Sequence, residues 1–320
     1  MSPIKQFVEL IANAIGSQKL VLADVGAAGG IQRRWRPFTP IIKTIGFEPN
    51  RSEFEKLTLS SGDNWINAAV AGSAEPRTVH LTRHPNNSSL LLPNYDLIRE
   101  LEWSNDFDIV SEHELDCVTL DHALSDLQPF FLKLDTQGSE HEILSGSQQI
   151  LSENVVGIEL EVTFCELYQN QRQFADIDYL LRENKFYIQD LANFLFVKPR
   201  GISRVGWPKS RLIQADALYY KEPKALIDGD NRQTAAALVS YVAYGYPELG
   251  VQLLNLQAAR GRHFPEAEKM RSLLHRMKPV SSNFCWVPGW GFAAKCFKRL
   301  WLTMRPVSHS LWESELGNRI

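Results

Sequence analysis

The chain is poor in cysteine and nowhere clusters it. Its 320 residues hold four, Cys117, Cys165, Cys285 and Cys296, far apart and with no Cys-x-x-Cys. That spacing excludes a disulfide framework or a zinc ribbon and points to free thiols in a reducing compartment. No run of 18 apolar residues occurs, so no membrane span is expected. The formal net charge is only −3, whereas a general nucleic-acid binder carries a basic domain. His-Glu-x-x-His and an EF-hand pattern are both missing. So is Gly-x-Gly-x-x-Gly, which cradles a dinucleotide's pyrophosphate: counting from Gly26, Ala28 and Ile31 take the other two glycine places. The first sixteen residues carry Lys5 and Glu9 and lack a long apolar core. They read as an amphipathic helix rather than a signal peptide. The remaining composition, 44% hydrophobic and 22% charged, is that of a globular protein with one large core, or a core and a small appendage.

What is present begins with Leu20-Val-Leu-Ala-Asp-Val-Gly-Ala-Ala-Gly-Gly30. It reads as a buried strand ending in an acid, followed by a tight glycine turn. A second strand, Thr44-Ile-Gly-Phe-Glu48, ends in another acid 24 residues after Asp24. An open α/β sheet holds nucleoside-like ligands over the carboxyl ends of its strands in this way. The turn is spelled Asp24-x-Gly26-x-Ala28-x-Gly30, small residues that let a ligand approach the backbone, with no phosphate cradle. S-adenosylmethionine (SAM), which has no phosphate, fits it better than NAD. Glu48 is placed to accept hydrogen bonds from a ribose diol. The plainer alternatives are a glycine turn needed only for positive φ and a solvated strand-end acid.

Further on, Phe131-Leu-Lys-Leu-Asp-Thr-Gln-Gly-Ser-Glu140 puts Asp135 at the carboxyl end of a central strand, in the same crevice as Gly26. Lys133 shares its face. A charge inside a buried strand needs a partner, here Glu159 or Asp135. In Gly157-Ile-Glu-Leu-Glu-Val162, Glu159 and Glu161 share one face and call for Lys133, a metal or a substrate hydroxyl. Asp135 is the first candidate for a general base or metal ligand and Glu161 the second, with His84 and His141 as alternatives. The one metal site left open is a Mg²⁺-like ion held by Asp135 and Glu161.

Strands are expected at 21–24, 44–47, 65–70, 78–83, 130–134, 155–162, 186–190 and 215–220, and helices at 3–15, 52–60, 141–151 and 174–183. Their alternation predicts an α/β fold with a doubly wound, mostly parallel sheet over residues 1–222. Residues 223–320 read as a small helical appendage and a tail. Between Lys269 and Trp312 lie eight Lys or Arg, no acid, and four of the eight tryptophans. Such a tail, over 279–312, is suited to peripheral contact with an anionic membrane; packing of its apolar stripe onto the domain is the alternative.

Together these segments resemble the FkbM-type family of SAM-dependent methyltransferases. The matching stretches are Ala23-Asp-Val-Gly-Ala-Ala-Gly-Gly30, Gly46-Phe-Glu-Pro49, Asn67-Ala-Ala-Val70, Asn87-Ser-Ser-Leu90, Leu132-Lys-Leu-Asp-Thr-Gln-Gly-Ser-Glu140 and Gly157-Ile-Glu-Leu-Glu-Val162 through Leu167-Tyr168. They span residues 20–222. The Lys-x-Asp-x-Gln-Gly-x-Glu and Glu-x-Glu-Val pair is the specific part. The resemblance implies a seven-stranded Rossmann-like sheet and methyl transfer, usually to a hydroxyl of a sugar or natural product. By position it implies that Asp24, Gly26, Gly30 and Glu48 bind SAM, that Ala69 and Val70 lie near the adenine, and that Asp135 lies near the transferred methyl. Ala28 completes the cofactor turn, where the family more often has Asn. A helix then follows in the family. Here Gln32-Arg-Arg-Trp-Arg-Pro37 and Pro40 follow, and two prolines within four residues should shorten or break it. Arg33 or Arg34 is a candidate for the carboxylate of SAM, with an exposed basic face as the alternative.

The reading is therefore a cytoplasmic O-methyltransferase, with a glycan, glycolipid or secondary metabolite as acceptor, and no nucleic-acid partner. Acceptor contacts are expected from the loops 85–94, 94–117 and 193–211. The alternative is a non-catalytic SAM-fold module whose C-terminal helices dock a partner. Loss of Asp24, Glu48 or Asp135 would favour it, and all three are present.

Overall fold

The computed structural model describes residues 2–60, 64–101, 103, 105–201 and 210–277. Its strands are β1 (Leu20–Val25), β2 (Ile42–Phe47), β3 (Asn64–Ile66), β4 (Ala69–Val70), β5 (Arg77–Thr82), β6 (Ile109–Leu115), β7 (Cys117–Val118), β8 (Pro129–Leu134), β9 (Gly157–Thr163), β10 (Phe186–Val197) and β11 (Arg211–Lys221). Its α-helices are α1 (Pro3–Ile15), α2 (Arg51–Ser60), α3 (Tyr95–Glu100), α4 (Leu120–Ala123), α5 (Glu140–Ser145), α6 (Gln148–Glu153), α7 (Phe174–Glu183), α8 (Pro223–Leu226), α9 (Asn231–Ala243), α10 (Pro247–Ala259) and α11 (Ala267–Arg276).

Seven strands form one sheet in the order β10-β11-β9-β8-β1-β2-β3. All run parallel except β11, which is antiparallel to both neighbours. The order reverses between β1 and β8, the switch point where such sheets hold ligands. The expected α/β architecture is therefore present. Two small sheets, β4 with β7 and β5 with β6, lie apart from the main one.

Strand alternation divides the core in two. Val21, Ala23, Val25, Leu132, Leu134, Ile158, Leu160 and Val162 meet Ile143, Leu144, Ile150, Leu151, Ile177 and Leu181 of α5, α6 and α7 on one face. Leu20, Leu22, Phe131, Leu218 and Tyr220 meet α1, α9, Trp35 and Phe38 on the other. Helix α1 starts at Ser2, whose side chain accepts from the Lys5 amide, and ends at Gly16 with φ +69. Its Phe7, Val8 and Ile11 form the buried stripe.

The helices after Pro223 are part of this body. Every residue of α9 from Thr234 to Ala243 is buried, as befits a helix enclosed on all sides. The Tyr220 hydroxyl of β11 donates to the Ser240 carbonyl of α9 at 3.2 Å. The described residues, 2–277, lie within one compact unit. The basic tail, 279–312, lies outside the described residues.

Two local readings change and a third holds. The expected strand 65–70 is split between β3 and β4, because the Asn67 side chain donates to the Glu48 and Pro49 carbonyls (2.8 and 3.1 Å) and turns the chain. The expected helix 141–151 is broken into α5 and α6 at Gly146, where any Cβ would run into the Gly72 backbone. After the glycine turn the chain forms only a 3-10 segment, Arg33–Phe38, with Pro37 inside it. Trp35 anchors that segment, 1% exposed and packed edge-on to Phe38, Phe130 and Phe131.

Candidate active site

The glycine turn is built by close approach. Gly26 has φ +76, and a Cβ there would collide with the Asp135 carbonyl. The Gly26 and Ala27 amides both donate to the Phe47 carbonyl at 3.1 Å, and the Asp135 amide donates to Val25 at 3.0 Å. The carboxyl ends of β1, β2 and β8 are thereby tied at one point. Gly30, φ +75, closes the turn by donating its amide to Ala27 at 2.9 Å.

A cleft of about 1140 Å³ opens over this point. Gly26, Ala28, Glu48, Ala69, Val70, Asp135 and Glu161 all line it. Asp24 and Gly30 stand off its wall. Asp24 is 3% exposed and engaged by Lys133, whose ammonium donates to Asp24 Oδ1 at 3.2 Å and reaches the Gly26 carbonyl at 3.5 Å. Asp135 Oδ2 is 3.8 Å from the same ammonium. Lys133 thus pairs with Asp24 first, a partner visible only once β1 and β8 lie in register, Asp24 beside Lys133. Glu159 is held instead by Gln32 Nε2 at 2.8 Å and Arg34 Nη2 at 3.5 Å. Arg34 also lies over the Tyr244 ring at 4.2 Å, so it ties the 3-10 segment to β9 and α9.

Burial pushes Asp24 up to about 6, against the pull of Lys133. Burial alone would lower Lys133, but the Asp24 and Asp135 charges more than offset it and leave its pKa raised. Glu48 is raised by burial too, although the Asn50 amide, donating to its Oε1 at 2.8 Å, works the other way. Its carboxylate is therefore fixed in direction on the cleft wall.

Asp135 and Glu161 are brought together by the Gln of the Lys-x-Asp-x-Gln-Gly-x-Glu motif, to which the sequence assigned no role. Gln137 Nε2 donates to Asp135 Oδ1 at 3.0 Å and to Glu161 Oε1 at 3.3 Å. Gln214 Nε2 donates to the other Glu161 oxygen at 2.7 Å. Burial, then the charges of Asp135, Glu140 and Asp216, push Glu161 well above the usual carboxylate range. Below them Glu140 pins the loop: its Oε1 accepts from the Thr136 amide and hydroxyl at 2.8 and 2.9 Å, and its Oε2 from the Gly138 amide at 3.0 Å. Tyr168 completes the wall behind Gln137; burial and these carboxylates hold its hydroxyl in the neutral form. Gln137 and Tyr168 stood inside the matching motifs without a role, and Gln214 gave no signal, because amides and a phenol in loops and strands have many duller uses.

His84 lines the cleft. His141 is on α5, its ring beside Ser145, and burial lowers its pKa. The expected acceptor loops contribute His84 to Leu90, Trp103, Asp106, Phe107, His113 and, from 193–211, Leu195. Among the described residues, no three His, Cys, Asp or Glu side chains gather in a metal-holding arrangement. Asp135 and Glu161 are linked by an amide donor, so the donor set does not fit the Mg²⁺ site the sequence left open. No described helix is long and apolar enough to cross a membrane.

The family model for the methyltransferase FkbM domain matches residues 24–188. No curated protein matches the chain. Among solved structures, the chain is similar to magnesium protoporphyrin IX methyltransferase (ChlM) from Synechocystis PCC 6803 with bound SAM. Identity there is 10%, over 68% of this chain and 78% of that one, with a TM-score of 0.32. Precorrin-6y C5,15-methyltransferase from Geobacter metallireducens GS-15 is 14% identical over 67% of this chain and 88% of that one, TM-score 0.29. Methyltransferase FkbM from Methylobacillus flagellatus KT is 13% identical over 63% of this chain but only 43% of that one, TM-score 0.34. Likenesses this distant add nothing to the 24–188 match, which covers just over half of the chain and carries both the glycine turn and the Asp135–Glu161 pair. On that match the chain belongs to the FkbM family of methyltransferases.

Proposed function

We propose that this protein transfers a methyl group from SAM to a hydroxyl oxygen of a sugar or glycan, glycolipid or secondary metabolite. The observation that carries the reading is the placing of Asp135 and Glu161 in one cleft with Glu48 and the Gly26 turn. Bound SAM would supply an electrophilic methyl: the C–O bond forms as the C–S bond breaks, and the electron pair goes to sulfur. The hydroxyl proton must leave to a base, and a positioned carboxylate contributes about 10²–10⁴-fold.

The chain's residues divide the work. Glu48, aimed by Asn50, is the ribose acceptor. Ala69 and Val70 offer the adenine an apolar wall beside Glu48. Asp135, its side chain 46% exposed, reaches the acceptor hydroxyl. Glu161, buried and with its proton affinity raised by that burial and by the neighbouring acids, takes the proton. Asp24 and Lys133 set the turn without touching the ligand. Alignment of acceptor and methyl supplies roughly 7–11 kcal/mol of the barrier. No metal enters this account.

Calorimetric titration of SAM and of its demethylated product, S-adenosylhomocysteine, tests the reading. Micromolar binding by the wild type, weakened at least tenfold in Glu48→Ala, is expected. A folded wild type that binds neither would return the weight to a non-catalytic module. With binding established, radiolabelled methyl transfer to neutral sugars and glycolipids, and its loss in Asp135→Asn, identifies the acceptor class.

A further inference from the structure

The pair Asp135 and Glu161 raises a physical difficulty. Two carboxylates face each other in a half-enclosed site, and both would rather part than share it. Burial is strong at Glu161, and Asp135, Glu140 and Asp216 all add negative charge around it, opposed by Lys133 and by the amide donors Gln137 and Gln214. Yet both side chains accept from one nitrogen, the amide of Gln137, at 3.0 and 3.3 Å.

That amide can be placed in one way only. Its nitrogen faces two carboxylate oxygens, and its oxygen lies 3.2 Å from the Tyr168 hydroxyl. Flipping it would set an amide oxygen against both carboxylates and its NH₂ against a phenol. The NH₂ has two hydrogens about 120° apart, one for each acid. The backbone is just as fixed. Gln137 has φ +56, a left-handed conformation that a non-glycine residue adopts at a cost. Its carbonyl accepts from Ser89 Oγ at 2.6 Å, and its neighbours Thr136 and Gly138 are held by Glu140. A residue held in strained backbone, from two sides, with both side-chain ends used, is over-determined.

We propose that Gln137 is a positioning residue: its amide clamps Asp135 and Glu161 into one acceptor-facing pair, and Ser89 anchors the backbone that aims the clamp. This rests on the reading of those two acids as the reacting groups. A hydrogen bond to a carboxylate favours its charged form. The clamp therefore works against the burial and the neighbouring acids that raise Glu161. Ser89 lies in the 84–90 wall of the cleft, so an acceptor pressing on that wall is coupled to the orientation of both acids.

The test needs no acceptor. Protein labelled with ¹³C at Glu side-chain carboxyls is titrated by NMR, the Glu161 signal assigned by its loss in Glu161→Gln. In Gln137→Met, close to Gln in shape and without its donors, Glu161 is expected to titrate about one pH unit higher than in the wild type, tenfold in proton affinity. Ser89→Ala, which keeps the amide and frees its backbone, is expected to shift it upward by less. An unmoved Glu161 titration in a Gln137→Met protein that still binds S-adenosylhomocysteine overturns the clamp. If Gln137→Met does not fold, an unmoved titration in Ser89→Ala overturns it instead. A wild type that fails to bind S-adenosylhomocysteine removes the methyl-transfer reading beneath it, whatever the titration shows.

Discussion

A methyl group added at Gly26 has no space to occupy. It would meet the Asp135 carbonyl, on a backbone at φ +76 that side chains rarely adopt. Gly26→Ala is expected to cost on the order of 3 kcal/mol in denaturant unfolding, with SAM binding lost. Lys221 offers a different kind of test. It is 7% exposed, donates to the Leu151 and Ser152 carbonyls and lies 5.0 Å above the Phe186 ring. Burial, with Lys185 adding to it, pushes it down to about 8. Its folded pKa is thus below its unfolded value near 10.5. Between those values the unfolded chain binds more protons, so stability rises with pH across that window. The wild type should gain roughly 2–3 kcal/mol on Lys221→Met between pH 8 and 10.5, read from urea midpoints of both proteins at several pH values. A flat difference would mean that Lys221 is solvated. Single residues also mark the limit of sequence reading. Glu48, Asp135 and Glu161 were legible because an acid at the end of an apolar strand stands out. The Lys133 partner was not, because it depends on β1 and β8 lying side by side. Gln137 was not, because its role depends on a left-handed backbone that its sequence does not announce.

Elements were legible in proportion to how local their causes are. Helices α1 and α7 matched expectation end to end, since Ser2-Pro3 and the Gln173–Asp176 capping box state where they start. Strand β6 was missed: its Ile-Val-Ser-Glu-His-Glu-Leu run is largely exposed, so it has no buried face to print an alternation. The break between α5 and α6 was missed because its cause, Gly72 against Gly146, is seventy residues distant in the chain. Helices α9 and α10 meet through a similar close approach. A Cβ on Gly250 would lie 2.8 Å from Leu238 Cδ2 and 3.0 Å from Leu274 Cδ1. Gly250→Ala, favourable in an isolated helix, should here destabilise by about 1–3 kcal/mol. Calorimetric melting would show it, and a raised melting temperature would mean the helices part easily.

At the scale of the whole molecule, the mostly parallel sheet followed from strand–helix alternation, while its switch point, set by which strands pair, did not. Alanine-rich α9 read as an appendage because a helix apolar on all sides has no single face to point at a partner. The tail at 279–312 remains a matter of sequence. With four Lys or Arg, four tryptophans and no acid in those residues, it is expected to carry the full chain up with phosphatidylserine vesicles in flotation. A chain ending at Lys278 should stay below, and equal recovery of the two would rule out membrane contact by the tail. The burial of α9 has a consequence for how the protein is made. Phe131, Tyr220 and Trp35 have their cover in α9, and α9 is translated after every strand of the sheet. A nascent chain that has emerged to residue 222 would show the described strands with the part of that flank that α9 covers still bare, only α1 and the 3-10 segment lying on it. Synthesis therefore passes through a sticky stage that ends only when the last quarter of the compact body emerges, and rare codons or a weak chaperone supply in that interval would set the yield of native protein.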